Sequence, residues 1–369
     1  MKPVKRRLQD FSVLTITLLL CFGLGEVAAR AVVPAPLAWK WPQVAYEPSA
    51  SLGFRLRPGQ DAFTADKPSH TNSIGLRGPE RSLKKPEGVK RILILGDSIA
   101  FGYGVAYEDT FAVKLEEMLN QSDSGKRYEV IDSGVPSYNT LQEVTYFREE
   151  GVRLEPDIVI LAVCWNDISS KSGVAVDEKG RLFDEAARPD PGRVAQWSET
   201  ERGYWARNAL KRSSLLYFVI DRARSVRIRL TGDGSVESNR PADVLTARQL
   251  AVLTGRADPA VAAGWVEVDS QLKILADLCA ARGIRLVVAL APMPQLLEAQ
   301  YPKAQYPSQV TRMCEKYGVR CLDLLPAFAQ DFRGHTSLFI PYDGDHPNES
   351  GHLIIAKQLF TELQESSSR

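Results

Sequence analysis

The sequence predicts an α/β protein: a three-layer α/β/α sandwich on a central parallel sheet of about five strands, preceded by an N-terminal transmembrane helix. Three observations carry that expectation. Five short apolar runs, Arg91–Leu95, Glu129–Ile131, Ile158–Val163, Leu286–Leu290 and Cys321–Leu325, lack the alternation of a half-exposed strand, as strands buried on both faces do. Amphipathic stretches of helical period separate them, which implies right-handed crossovers. An uncharged run, Phe11–Gly25, follows Lys2, Lys5, Arg6 and Arg7.

Composition narrows the function classes. The 369 residues are 44% hydrophobic and 25% charged, the balance of a globular chain and not of a disordered or collagenous one. Lys plus Arg number 46 against 45 Asp plus Glu, a net charge of +1. Without a concentrated basic face, nucleic acid is not the expected partner. The five cysteines, Cys21, Cys164, Cys279, Cys314 and Cys321, form no CxxC pair, which excludes zinc-ribbon and thioredoxin-type motifs.

In chain order, residues 1–33 are a cytoplasmic tip and a membrane anchor or signal segment. The basic cluster places the N-terminus in the cytoplasm. The uncharged run falls short of the roughly 20 residues a span needs; continuing to Val33 supplies them, with Glu26 and Arg30 at the far interface. A cleaved signal peptide is the alternative, Ala29-Arg30-Ala31 being a passable A-x-A site. Charge beside that site and the early end of the apolar run favour an uncleaved anchor. Leu20 stands where a lipoprotein site at Cys21 needs a small residue. The body is then extracytoplasmic, where disulfides are permitted; Cys314 with Cys321, or either with Cys279, are the candidate pairs.

Residues 34–90 read as a linker and N-terminal extension, with Pro34, Pro36, Trp39, Trp41 and Pro42 marking irregular chain. Residues 91–369 form the main domain. Its helices are expected over Thr110–Asn120, capped by Asp109 or Thr110, and over Leu141–Glu150, Val266–Arg282, Gln309–Tyr317 and Gly351–Leu363. Residues 169–264 break the rhythm and read as an insertion. Its basic segment, Arg222, Arg224, Arg227 and Arg229, suits a solvated or membrane-facing surface; a lid or substrate contact is the other use.

Ligands of open α/β sheets bind beyond the carboxyl ends of the strands. There the sequence has Gly96-Asp97-Ser98, Ser133-Gly134-Val135-Pro136, Cys164-Trp165-Asn166-Asp167 and, near the C-terminus, Asp343-Gly344-Asp345-His346-Pro347. These are the parts for acyl transfer. A serine hydroxyl needs a base to take its proton, and histidine is the fitting one near neutral pH. An Asp three residues before it can turn back to hold the other ring nitrogen, with Asp345 as the competing partner. Backbone N–H groups and an Asn amide suffice for an oxyanion. Asp343, Asp345, His346 and His352 match neither the EF-hand nor a common zinc spacing, so no metal or cofactor is expected.

In order and at strand ends, these four blocks resemble those of the SGNH (GDSL-type) hydrolases over about Arg91 to Leu363. The upstream Asn72–Glu80 (NSIGLRGPE) is similar to a segment that precedes the GDS strand in membrane-anchored members. The resemblance implies an SGNH/flavodoxin-like fold and a serine esterase. Ser98 is then the nucleophile, His346 the general base and Asp343 its orienting partner. The backbone N–H groups of Ser98 and Gly134 and the side-chain amide of Asn166 form the oxyanion hole. Two positions depart from the family pattern: Cys164 stands for the usual Gly of the third block, and Ile99 follows Ser98 in place of Leu. Ala100 occupies the second Gly of a G-x-S-x-G elbow, which argues against the ordinary α/β-hydrolase fold. The expected substrate is a carboxylic ester, an O-acyl group of a cell-surface glycan or a lipid. An O-acyltransferase for a polysaccharide and a silent tethered carbohydrate-binding module are the alternatives.

Overall fold

The computed structural model describes residues 2–365, apart from 34, 36, 123–124, 126, 169–173, 185–204, 206–207, 210, 232–246, 256, 298–305, 342 and 344. Helix α1 (Lys2–Val32) comes first, and its stretch Asp10–Val32 is long and apolar enough to cross a membrane. Two antiparallel hairpins follow: β1 (Tyr46–Ser49) with β2 (Gly53–Leu56), and β3 (Asp61–Thr64) with β4 (Lys67–His70). The body continues with β5 (Val89–Leu95), α2 (Ser98–Phe101), α3 (Phe111–Gln121), β6 (Arg127–Asp132), α4 (Thr140–Glu149), β7 (Ile158–Val163) and α5 (Trp165–Ile168). Next come the hairpin β8 (Val174–Val176) and β9 (Leu182–Asp184), then α6 (Ser214–Thr231), α7 (Ala247–Thr254) and α8 (Pro259–Ala280). The last elements are β10 (Arg285–Leu290), α9 (Pro294–Leu297), α10 (Tyr306–Lys316), β11 (Arg320–Asp323), α11 (Leu325–Asp331), α12 (His335–Leu338) and α13 (Glu349–Glu365).

Five parallel strands make the central sheet, in the order β11-β10-β7-β5-β6. The connection leaving β5 goes to one side, to β6, and the next returns to the other, to β7. That reversal is a topological switch point, where a crevice opens at the carboxyl edge. The strands lack alternation because both faces are covered. On one face Leu93, Leu95, Val159, Leu161, Val288 and Leu290 share a core with Phe147 of α4 and Leu272 and Leu275 of α8. On the other, Ile92, Ile94, Ile158 and Ile160 pack with Leu115 and Leu119 of α3 and Ile355 and Leu359 of α13.

The stretch 34–90 is more structured than its proline content suggests. Phe54 and Leu56 of β2, each 1% exposed, enter the main core. All five cysteines are free thiols, Cys314 and Cys321 included. Of the insertion, the described elements are the β8–β9 hairpin, helices α6 and α7 and the start of α8; the lid reading falls largely outside the described residues. After α1 the chain returns to the body as a strap. Trp39 N–H donates to Asn208 Oδ1 at 2.9 Å, and Lys211 Nζ donates to the Leu37 carbonyl at 2.9 Å.

Candidate active site

Ser98 opens α2 directly after β5. Asp97 caps that single turn, its Oδ1 accepting from Ile99 N–H at 2.8 Å, and Gly102 ends it in the left-handed region at φ 73°. The hydroxyl therefore stands at the carboxyl edge, beside the switch point. The His346 loop arrives from the other end of the chain and is pinned by a bridge between Phe339 and Pro347. Ile340 N–H donates to the His346 carbonyl at 3.0 Å.

The D-x-x-H spacing acquires a local explanation. Asp343 Oδ1 accepts from the backbone N–H of His346 at 2.9 Å and of Asp345 at 3.1 Å, an Asx-type turn that folds the loop back on itself. The same oxygen accepts from His346 Nδ1 at 2.7 Å, and His346 Nε2 lies 2.8 Å from Ser98 Oγ. One unbroken line of hydrogen bonds thus runs from Asp343 through the imidazole to the Ser98 hydroxyl. In the neutral ring, Nδ1 donates to the carboxylate and Nε2 accepts from Ser98.

A second carboxylate faces the same nitrogen. Asp345 Oδ1 is 3.4 Å from His346 Nδ1, while its Oδ2 accepts from Trp165 Nε1 at 2.6 Å. Burial pulls the imidazole down, but the Asp343 and Asp345 carboxylates outweigh it and push His346 up to about 10. Burial works against ionised Asp343 too, yet the imidazole and the loop N–H groups hold it down at about 2. Asp345 is raised to about 6, chiefly by burial. The Tyr103 ring lies across the imidazole with centroids 4.7 Å apart.

Gly134 and Asn166 stand on the same edge, each with its donor engaged internally. Gly134 N–H donates to Asp132 Oδ1 at 2.8 Å. A Cβ at Gly134 would sit 2.3 Å from Phe101 N, so only glycine lets this loop approach the Ser98 turn so closely. Asn166 Nδ2 donates to Asp97 Oδ2, and its Oδ1 accepts from the Cys164 thiol at 2.7 Å. Cys164, where the resemblance has glycine, is a buried thiol pushed far up by burial; it packs and orients rather than attacks.

The structure joins Ser98 to His346 and His346 to Asp343, and sets Gly134 and Asn166 on the same edge. Asp343, Asp345 and His346 also have ligand-type atoms within 4.8 Å of one another. Those atoms bond to each other, to Trp165 and to Ser98, and His352 is elsewhere, accepting from Phe111 N–H at 3.2 Å. Two features escape sequence reasoning. One is the Trp165–Asp345 bond. The other is Arg77, whose buried guanidinium donates to the carbonyls of Phe101 at 2.6 Å, Gly102 at 2.8 Å and Val105 at 2.7 Å. It holds the loop that follows Ser98, and its one signal was the NSIGLRGPE segment. Nearby, a Cβ on Gly104 would meet Ile340 Cδ1 at 2.7 Å and Leu37 Cδ2 at 3.1 Å, so the strap after α1 abuts the loops that carry Tyr103 and His346.

A family model described as GDSL-like lipase/acylhydrolase matches residues 94–354. No curated protein matches the sequence. Among solved structures, a catalytic mutant of an acetylxylan esterase from Geobacillus stearothermophilus is 12% identical, with a TM-score of 0.42, over 74% of this chain and 94% of its own. An α/β hydrolase from the metagenome of Lake Arreo, Spain, is 14% identical with the same TM-score of 0.42, over 74% and 94%. A protein of the G-D-S-L family from Desulfitobacterium hafniense, described as lipolytic, is 9% identical with a TM-score of 0.39, over 74% and 98%.

Proposed function

The chain belongs to the GDSL-like lipase/acylhydrolase family, and from the ester hydrolysis that membership brings we propose that Ser98, His346 and Asp343 are its catalytic triad. The observation that carries the reading is the line Asp343–His346–Ser98, with bonds of 2.7 and 2.8 Å. His346 Nε2 takes the Ser98 proton as Oγ adds to the ester carbonyl carbon, and the carbonyl π pair moves onto oxygen. Ser98 N–H, Gly134 N–H and the Asn166 amide receive that oxyanion; the last two exchange their bonds to Asp132 and Asp97 for it. Collapse expels the alcohol, which His346 protonates. A water that gives its proton to His346 then attacks the acyl-serine carbonyl, and Ser98 leaves as the alcohol with that proton.

The apolar stretch of α1, with the basic residues that precede it at the start of the helix, supports a single-pass protein whose catalytic body lies on the extracytoplasmic side. Its substrates there are O-acyl groups of a cell-surface glycan or a lipid. The test is hydrolysis of a short-chain nitrophenyl ester by the full-length, detergent-solubilised chain and its Ser98→Ala variant. A loss of about 10⁴-fold or more in kcat/KM is expected; equal activity in the variant removes Ser98 from the mechanism.

A further inference from the structure

Helix α6 is tied to α1 at the level where the apolar run of α1 ends. Glu26 of α1 serves as the cap of α6: Oε2 accepts from Ser213 Oγ at 2.7 Å and Leu215 N–H at 3.1 Å, and Oε1 from Ser214 N–H at 3.0 Å. These are the donors a helix N-terminus otherwise leaves open. Arg30 completes the knot, donating to Glu26 Oε1 at 2.8 Å and to the Arg212 carbonyl at 3.0 Å. Leu215 packs on Gly25, where an added Cβ would come within 2.9 Å of Leu215 Cδ2. As the chain advances from Arg212 to Leu215, its partner on α1 falls from Arg30 to Gly25. The start of α6 therefore runs back toward the apolar run Phe11–Gly25.

The sequence of α6 has two halves. Leu215 to Ile220 (LLYFVI) is apolar, and Arg222, Arg224, Arg227 and Arg229 follow against a single acid, Asp221. Val219 is 53% and Ile220 37% exposed, as are Leu24 at 73% and Val27 at 69% on α1. An upright α6 beside α1 would bury its arginines in hydrocarbon, since Arg229 lies 14 residues and about 21 Å beyond Leu215. Laid in the plane of the interface, both halves are served. The exposed Val219 and Ile220 would then enter the boundary layer, about 5–10 Å deep, with the basic sequence 222–229 at headgroup level.

We propose that α6 is an interfacial helix that docks the catalytic body onto anionic phospholipid headgroups. Continuity with α1 selects a bilayer as the occupant, and four arginines against one aspartate select anionic lipid. The proposal rests on α1 spanning the membrane. The test places a benzoylphenylalanine photocrosslinker at Ile220, at Val219 or, separately, at Leu14. Full-length protein is reconstituted in phosphatidylcholine vesicles with and without phosphatidylglycerol. Circular dichroism melting verifies that each variant folds, and mass spectrometry reads the adduct. Lipid adducts at Leu14 and at Ile220 or Val219, with the α6 adduct several-fold higher when phosphatidylglycerol is present, are expected. An adduct at Leu14 but at neither α6 position overturns the docking while leaving the span intact. No adduct at any position removes the span and the docking together. Adducts from α6 to a second protein copy reassign the face to self-association, and equal lipid yield in both vesicles overturns the anionic preference.

Discussion

At position 346 one imidazole answers to two carboxylates, and the consequences separate by pH. Asp343 bonds Nδ1 at 2.7 Å and Asp345 stands at 3.4 Å. Only the neutral ring accepts the Ser98 proton, so with His346 near 10 kcat/KM is expected to climb into alkaline pH. Asp345→Asn removes one of the charges that raise the imidazole; the limb should move to lower pH with the bond to Asp343 kept, and an unmoved limb denies Asp345 this role. Asp343→Asn should cost about 10⁴-fold instead, through the wrong tautomer. Stability follows a related rule. The folded value of about 10 exceeds the ordinary 6.5, so protonated His346 stabilises the fold fully below pH 6.5, and that contribution is lost as pH rises toward 10. His346→Gln should flatten the fall of Tm in that window, and an unchanged slope counts against the assignment. The meeting of Ser98, His346 and Asp343 was legible because Ser98 follows a strand end and Asp343 and His346 sit at a short fixed spacing. The Trp165–Asp345 bond was not, since it joins residues 180 apart, and no local pattern encodes such a meeting.

Among the elements, α8 and α5 meet most tightly where the third block is held. A Cβ on Gly264 would lie 1.7 Å from the Ile168 carbonyl oxygen, so backbone meets backbone there without a side chain between them. Gly264→Ala must push α8 off α5, the turn that carries Asn166 and Asp167. A loss of about 1–3 kcal/mol in unfolding free energy is expected, with a fall in esterase rate at temperatures where the variant is still folded. An unchanged Tm and rate would place the contact outside the site's support. The five sheet strands were readable because continuous apolar runs have one cause, burial on both faces. The start of α8 was missed by seven residues. Its signals are Pro259 at the first turn and Asp258, whose Oδ1 accepts from Ala260 and Val261 N–H, marks of a helix start that an apolar periodicity passes over. The β1–β4 hairpins were illegible because their four-residue strands include Pro48 and Pro68, and the first of them takes its definition from the core it enters through Phe54 and Leu56.

Taken whole, the molecule carries acids that its interior prefers protonated. Burial raises Asp132 and Asp167 to about 7 against an ordinary 3.8. Glu143 on α4, with neither carboxylate oxygen hydrogen-bonded, is held well above its usual range by burial and by Asp167 and Asp97. These folded values exceed the unfolded ones, so the folded state keeps more protons, and stability falls as pH rises from about 4 through 7. Glu143→Gln should raise Tm at pH 8 and make its pH dependence shallower. Melting curves from pH 5 to 9 decide it, and a variant less stable than wild type at pH 8 contradicts the account.

The strap from Val32 to Leu37 has a kinetic meaning. Five residues reach at most about 18 Å, and Leu37 Cδ2 stands where a Cβ on Gly104, next to Tyr103, would meet it at 3.1 Å. With α1 in a bilayer and Ser98 as the proposed nucleophile, the site would be leashed close to the lipid that anchors it. An ester carried in that leaflet would then be met at an effective concentration set by its mole fraction rather than by its bulk concentration. On the proposed topology, esters of the same membrane would be reached in cis, and one displayed on a facing membrane would lie beyond the leash.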